Sequence, residues 1–240
     1  MTALQSRGLV LDFQPLHEWP ADRNEAVLIQ RKLSSKIDCT GRLDHVRAIT
    51  AIDTAYDAEV NRVFCTAVTM SYPELKDIER VVADAEISFP YFPSLLIFRE
   101  GPVVLKTLMR LKNPTDLLII AAHGRAHPLK IGMASHIGLI TGLPTIGCAR
   151  KILTGEYVLP SLKKGSQTPI KIGGETVGIV LRTKDSVKPM FVSTGHKCCL
   201  EDAVELILNC VTEYRMPEPL RMAHLYSGKF RKSFLRKKKK

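Results

Sequence analysis

Residues 117–128 read LLIIAAHGRAHP, and the fold turns on how this run is taken. Leu117, Leu118, Ile119 and Ile120 are too few for a helix and alternate with nothing polar. Such a short apolar run suits a strand buried on both faces. His123, Gly124, Arg125 and His127 follow it as a polar loop. In α/β proteins the loop at the carboxyl end of a buried strand is where ligand-handling groups gather. Yet the two residues at the strand's mouth, Ala121 and Ala122, carry no side-chain donor, acceptor or metal ligand.

Working upstream, HVRAITAIDTAYD holds a β-rich run ending at Asp53, NRVFCTAVTMSYPEL a second and DIERVVADAEISF a third. The spacers Asp57–Asn61 and Tyr72–Lys76 are short enough for antiparallel hairpins. Residues 24–36 place Val27, Leu28 and Leu33 at helical spacing, within an N-terminal helical arm over about 1–45. Ser94–Leu111 reads as a helix with Leu95, Phe98, Leu105 and Leu108 available for burial. Downstream come a helix over Ile131–Thr141, the strand LPTIGCA, and the amphipathic helix EDAVELILNCVTEY. Three strands, helix, strand, helix, strand and helix make an α/β fold: a mixed sheet flanked by helices.

The chain has 240 residues, which suits a single domain over 1–228. Its 45% hydrophobic content fits a globular protein, and no stretch reaches the roughly 18 apolar residues that span a bilayer. With no secretory h-region near the N-terminus, the expectation is an intracellular, cytoplasmic protein, or a nuclear one in a eukaryote, with no membrane partner. The six cysteines lack metal-ligand spacing and read as reduced, mostly buried thiols. The net charge of +11 is uneven: Lys229–Lys240 carries eight cations and no acid, so the remainder holds only +3 (11 − 8). Residues 229–240 therefore read as a flexible basic tail, equally suited to a polyanion, a targeting role or solubility.

Asp53 is a carboxylate inside a β-rich run, expensive to bury without a partner. Glu100, in IFRE, sits early in a predicted helix, where the dipole favours an acid. Metal-assisted phosphodiester hydrolysis needs two or three carboxylates converging from different elements. Asp53 and Glu100 could supply two of them; the third would stand at the mouth of the neighbouring strand, where Ala121 is.

Six blocks then occur in order: AIDTAY, SYPEL, PYFPSLLIFRE, HGRAHPLKIGMASHIGLITGLPTIGCARKIL, VSTGHKCCLEDAV and YRMPEPLRMAH. Over about 47–227 this resembles the endonuclease V family, which cuts DNA or RNA near deaminated purines such as hypoxanthine. The resemblance implies an RNase H-like fold and a Mg²⁺- or Mn²⁺-dependent endonuclease working as a monomer. Its partner would be single- or double-stranded DNA or RNA containing inosine. It implies that Asp53 and Glu100 bind the metal. It makes Pro90, Tyr91, Phe92 and Pro93 a wedge beside the lesion, where a ring can replace the stacking of a flipped base. Ser94 stands where the family commonly has glycine. Gly124, His127 and Lys130 fall in the lesion-pocket loop, Gly124 allowing close approach and His127 and Lys130 facing phosphate; His136 reads as an interior residue.

The departures from the family are as specific as the match. The family reads Asp-Gly at the strand mouth, the Asp serving the metal; this chain has Ala121-Ala122. The catalytic-region lysine aligns with Arg150, with Lys151 beside it, and arginine does not replace a compact ammonium. The acid of the RxAD block is His224, which can ligate or orient but adds no negative charge. Mg²⁺ demands near-ideal oxygen geometry, so a missing carboxylate weakens or abolishes cleavage. His123 is the candidate substitute ligand, favouring Mn²⁺; Asp116, at the far end of the same strand, is out of reach. Two readings stay open: a nuclease with an incomplete metal site, and a non-catalytic inosine-binding module on the same fold.

Overall fold

A computed structural model describes residue 13 and residues 16–238. Its spine is one eight-stranded sheet, built in chain order from β1 (Ala48–Asp57), β2 (Arg62–Ser71), β3 (Asp77–Glu86), β4 (Leu117–Ile120), β5 (Thr145–Ala149), β6 (Gln167–Ile172), β7 (Glu175–Leu181) and β8 (Met190–His196). The spatial order is β3-β2-β1-β4-β5-β8-β7-β6. β2 runs antiparallel to β1 and β3, β4 and β5 run parallel to β1, and β8, β7 and β6 alternate from there. The mixed sheet expected from the sequence is the one observed.

All four residues of β4 are buried, as a strand covered on both faces requires. Ile120 packs on one side with Ile52, Phe98 and Val104, and Ile119 on the other with Ala51, Val192 and Ile207. The first layer is closed by α2 (Leu96–Leu108) and α3 (Met133–Thr141), with α1 (Arg23–Ser34) packed against it through Ala26; the second is closed by α4 (Leu200–Asn209) and α5 (Glu218–Lys238). α1 starts where Asp22 Oδ1 accepts from the Asn24 and Glu25 amides, satisfying two of the helix's unpaired N–H groups. The described part of the N-terminal arm is thus one twelve-residue helix with irregular flanks; residues 1–12, 14 and 15 lie outside the described residues.

Three strands and a helix go beyond the sequence expectation. β6 and β7 form a hairpin across Gly173-Gly174, whose φ values of 58° and 82° match the two-residue turn that fits a twisted pair. Pro169 lies in β6, and β6 is the edge strand, where a missing N–H costs no ladder bond on the open side. The basic segment 229–238, expected to be flexible, is instead the second half of α5. Phe230 and Phe234, one helical turn apart, set their rings 5.5 and 5.2 Å from that of buried Phe64 on β2, and Arg231 donates to the Tyr56 carbonyl at 3.0 Å. All six cysteines are free thiols, five of them buried. No helix among the described residues is long and apolar enough to cross a membrane.

Candidate active site and nucleic-acid pocket

β1 and β4 run side by side in register, Ile52 opposite Ile120, so the next residues, Asp53 and Ala121, are neighbours where β4 ends. The Ala121 amide donates to the Ile52 carbonyl at 3.0 Å, which continues the ladder by one residue. The carboxylate of Asp53 is tied to α5: His224 Nδ1 donates to its Oδ2 at 2.7 Å, and the Ser227 hydroxyl donates to the same oxygen at 3.3 Å. Glu100 comes from α2 on the opposite side of β1, where Thr54 donates its hydroxyl to Oε2 at 2.6 Å. Burial pushes the Glu100 carboxyl up to about 7, with the Asp53 charge adding to the effect and the Thr54 hydrogen bond opposing it. A carboxylic acid in that range is about half neutral at physiological pH.

Ala121 contributes only a methyl group here. Asp116 caps the start of β4, its Oδ2 accepting from the Arg47 and Ala48 amides. His123 is held by its Nε2, which donates to the Lys151 carbonyl at 2.9 Å; its Nδ1 is buried without a partner, and burial lowers its affinity for a proton. Among the described residues no three His, Cys, Asp or Glu side chains converge as a metal-binding group. A Mg²⁺ centre needs hard anionic oxygens in near-octahedral array. One Asp already engaged by His224 and Ser227, and one Glu held by Thr54 on the other side of β1, do not make that set.

Beside this pair opens a cavity of about 520 Å³, within the size range of small-molecule sites. Its walls are Tyr91 and Pro93 of the PYFP segment with Ser94 after it, Ala122, His123 and His127 from the loop after β4, and Ala149 at the end of β5 with Arg150 and Lys151 beyond it. A second cavity, about 40 Å³, contains Asp53 and His224; Ala121 and Arg150 line both. The wedge, the loop and the Arg150-Lys151 pair expected from the sequence are thus brought to one place.

Within the PYFP segment the two rings differ. Tyr91 is 62% exposed, while Phe92 is half-buried, 6.1 Å from the Phe89 ring and under the Arg23 guanidinium. Pro90 and Pro93 are exposed on either side. Gln30 on α1, which no motif singles out, secures this segment. It is 1% exposed, and its Nε2 donates to the carbonyls of Ser94 (3.0 Å) and Ile131 (3.3 Å), joining the wedge to the end of the pocket loop.

The loop residues are engaged within the protein itself. His127 is buried, its Nε2 donating to the Ser94 carbonyl at 2.7 Å and its Nδ1 accepting from the Leu129 amide at 3.2 Å. Burial drives its pKa down to about 4, so it is neutral with both nitrogens engaged and offers phosphate no charge. Gly124 is buried, and a side chain there would collide with the Thr194 carbonyl of β8, so packing within the protein itself demands glycine. Lys130 adopts φ 54° and pairs with Glu175, which also binds Arg125. His136 is buried against His17, Nε2 to Nε2 at 2.8 Å, as an interior residue.

The endonuclease V family model matches residues 31–225. This chain belongs to the endonuclease V family. It is 43% identical to endonuclease V of Dictyoglomus thermophilum over 205 residues, covering 85% of this chain and 89% of that protein. The crystal structure of Streptomyces avermitilis endonuclease V superposes with a TM-score of 0.86 at 38% identity, covering 91% of this chain and 96% of that one. Endonuclease V of Ciona intestinalis, solved with a 24-mer DNA containing an inosine followed by a ribo-adenosine, gives a TM-score of 0.76 at 27% identity, covering 88% and 98%. The fold and family expected from the six sequence blocks are therefore those found.

Proposed function

We propose that this chain recognises deaminated purine, inosine or hypoxanthine, in DNA or RNA, and that its phosphodiesterase activity is weakened or lost. The observation that carries the reading is Ala121: beside Asp53, at the end of β4, where a third acidic ligand would complete a metal site, there is a methyl group. The large cavity supports the recognition half. It joins an exposed aromatic wedge, a neutral polar loop and the cations Arg150 and Lys151 in one concave site. The flipped base would enter this cavity, Tyr91 taking its place against the neighbouring base. The inosine in the Ciona complex supports the choice of ligand.

A complete loss of cleavage, leaving a binding module, is favoured by His123. Its Nε2 is held by the Lys151 carbonyl and its Nδ1 is buried, so it is poorly placed to stand in for a carboxylate. We take the protein to act as a monomer within the cell, on single- or double-stranded substrates. The test uses labelled oligonucleotides carrying one inosine, with Mg²⁺ and separately Mn²⁺, and measures cleavage and binding together. The expected result is binding that prefers inosine to adenosine, with little or no cutting by the native chain. Efficient cutting by the native chain, or equal affinity for adenosine, would overturn the reading.

A further inference from the structure

The eight cations of residues 229–240 play no part in the site described so far, yet α5 fixes most of them in space. The helix is pinned by Phe230 and Phe234 on Phe64 and by Arg231 on the Tyr56 carbonyl. Lys229, Lys232 and Arg236 stand at i, i+3 and i+7, one stripe on the face turned away from those phenylalanines. All three are exposed, and among the described residues none forms an ion pair. A groove of about 500 Å³ lies between α5 and the end of β1, lined by Thr54, Tyr56, His224, Lys229, Arg231 and Lys232, with no acidic side chain on its wall. His224 also lines the small cavity that holds Asp53, so the groove begins at the site.

We infer that the second half of α5 is a track for the sugar–phosphate backbone of the strand that occupies the site, extending its footprint on one side only. The inference rests on the reading proposed above. Continuity with Asp53 through His224, and the absence of acids from the groove, favour a nucleic-acid strand over a membrane or an acidic protein. From His224 to Lys238 the helix rises about 21 Å at 1.5 Å per residue. That corresponds to about six phosphates at 3.4 Å of duplex axis per nucleotide of one strand.

The experiment compares the native chain with the triple variant Lys229→Gln, Lys232→Gln, Arg236→Gln, all solvent-facing replacements that leave the phenylalanine anchors in place. Binding to an inosine oligonucleotide is measured across salt concentrations, with the flank shortened on the 5′ or the 3′ side in turn. Phosphatidylserine vesicles serve as the competing polyanion. The expected result is a salt slope reduced by about two to three, since each lost phosphate contact removes about 0.7–0.9. Preference for inosine over adenosine stays unchanged. Shortening one flank, and only one, weakens the native chain but not the variant. An unchanged slope, equal sensitivity to both flanks, or a variant that loses vesicle binding but not oligonucleotide binding would overturn the inference. If the native chain binds with this slope and asymmetry yet does not prefer inosine, the track stands and the proposed ligand falls. If it binds no oligonucleotide, both fall.

Discussion

The two cavities that meet at Ala121 and Arg150 are unlike each other. The larger is framed by parts that hold one another: Gln30 and His127 both donate to the Ser94 carbonyl, and the glycine-dependent loop at 124 packs on the backbone of β8. The smaller contains one carboxylate, already bound by His224, with Glu100 beyond it on the other side of β1. On the function proposed above, recognition and hydrolysis draw on separate resources in this fold. Shape comes from backbone packing and hydrogen bonds, which an alanine at 121 leaves whole, since its amide still completes the β1–β4 ladder. Charge convergence comes from single side chains, and one replacement dissolves it.

The largest effect is expected from Ala121→Asp. Restoring a carboxylate beside Asp53 should raise metal-dependent cleavage of an inosine strand by at least about a hundredfold over the native chain. The same variant should unfold at lower temperature without metal and recover with Mn²⁺, because the added anion stands among like charges. No gain in cutting would mean that Arg150 or the binding of Asp53 by His224 also blocks the chemistry.

Gly124→Ala probes the other cavity. A methyl group driven into the Thr194 carbonyl should cost about 3 kcal/mol, read as a fall in thermal stability. A variant as stable as the native chain would show that the pocket loop is looser than its packing implies. Tyr91→Ala should leave stability alone, since the ring is exposed, while weakening inosine binding by about 1–3 kcal/mol. An unchanged affinity at matched salt removes the wedge from the reading.

The smallest effect concerns pH. Glu100 holds its proton up to about 7 in the folded chain, so the native state binds more protons than the unfolded one between the ordinary glutamate range and that value. Its contribution therefore makes stability fall as pH rises from about 4.5 to about 7. His127 and His136, held neutral by burial, act in the opposite sense, losing stability as pH drops below the ordinary histidine range. Unfolding temperatures of the native chain and Glu100→Gln across this window isolate the Glu100 share: the native chain should lose several degrees relative to the variant as the pH rises. Parallel curves would put Glu100 in a wetter setting than its burial implies.

How far the sequence anticipates the molecule follows from what each segment advertises. β1 to β5 and the helices between them show simple periodicity or continuous apolar runs, and they stand where expected. β6 to β8 do not: Pro169 argues against a strand until its edge position is known, and Gly178 and Gly195 interrupt β7 and β8 because other backbone packs against them. Gly173-Gly174 was the available signal for the hairpin. In α5 the cations mask Phe230 and Phe234, whose four-residue spacing marks a buried stripe only once Phe64 is beneath it. At the site, motif order picks out Asp53 and the PYFP segment, whose two cavities share Ala121 and Arg150. The inward role of His127 and the part played by Gln30 depend on carbonyl groups that no side-chain pattern records.

The Ser94 carbonyl has a kinetic consequence. Bound from Gln30 on one side and His127 on the other, it locks the wedge and the pocket loop into a clamp whose spacing is set before any strand arrives. A rigid clamp spends little on ordering itself, so discrimination between bases appears in how long each one stays. Inosine and adenosine strands should arrive at similar rates, steered by the same cations, and differ in residence time.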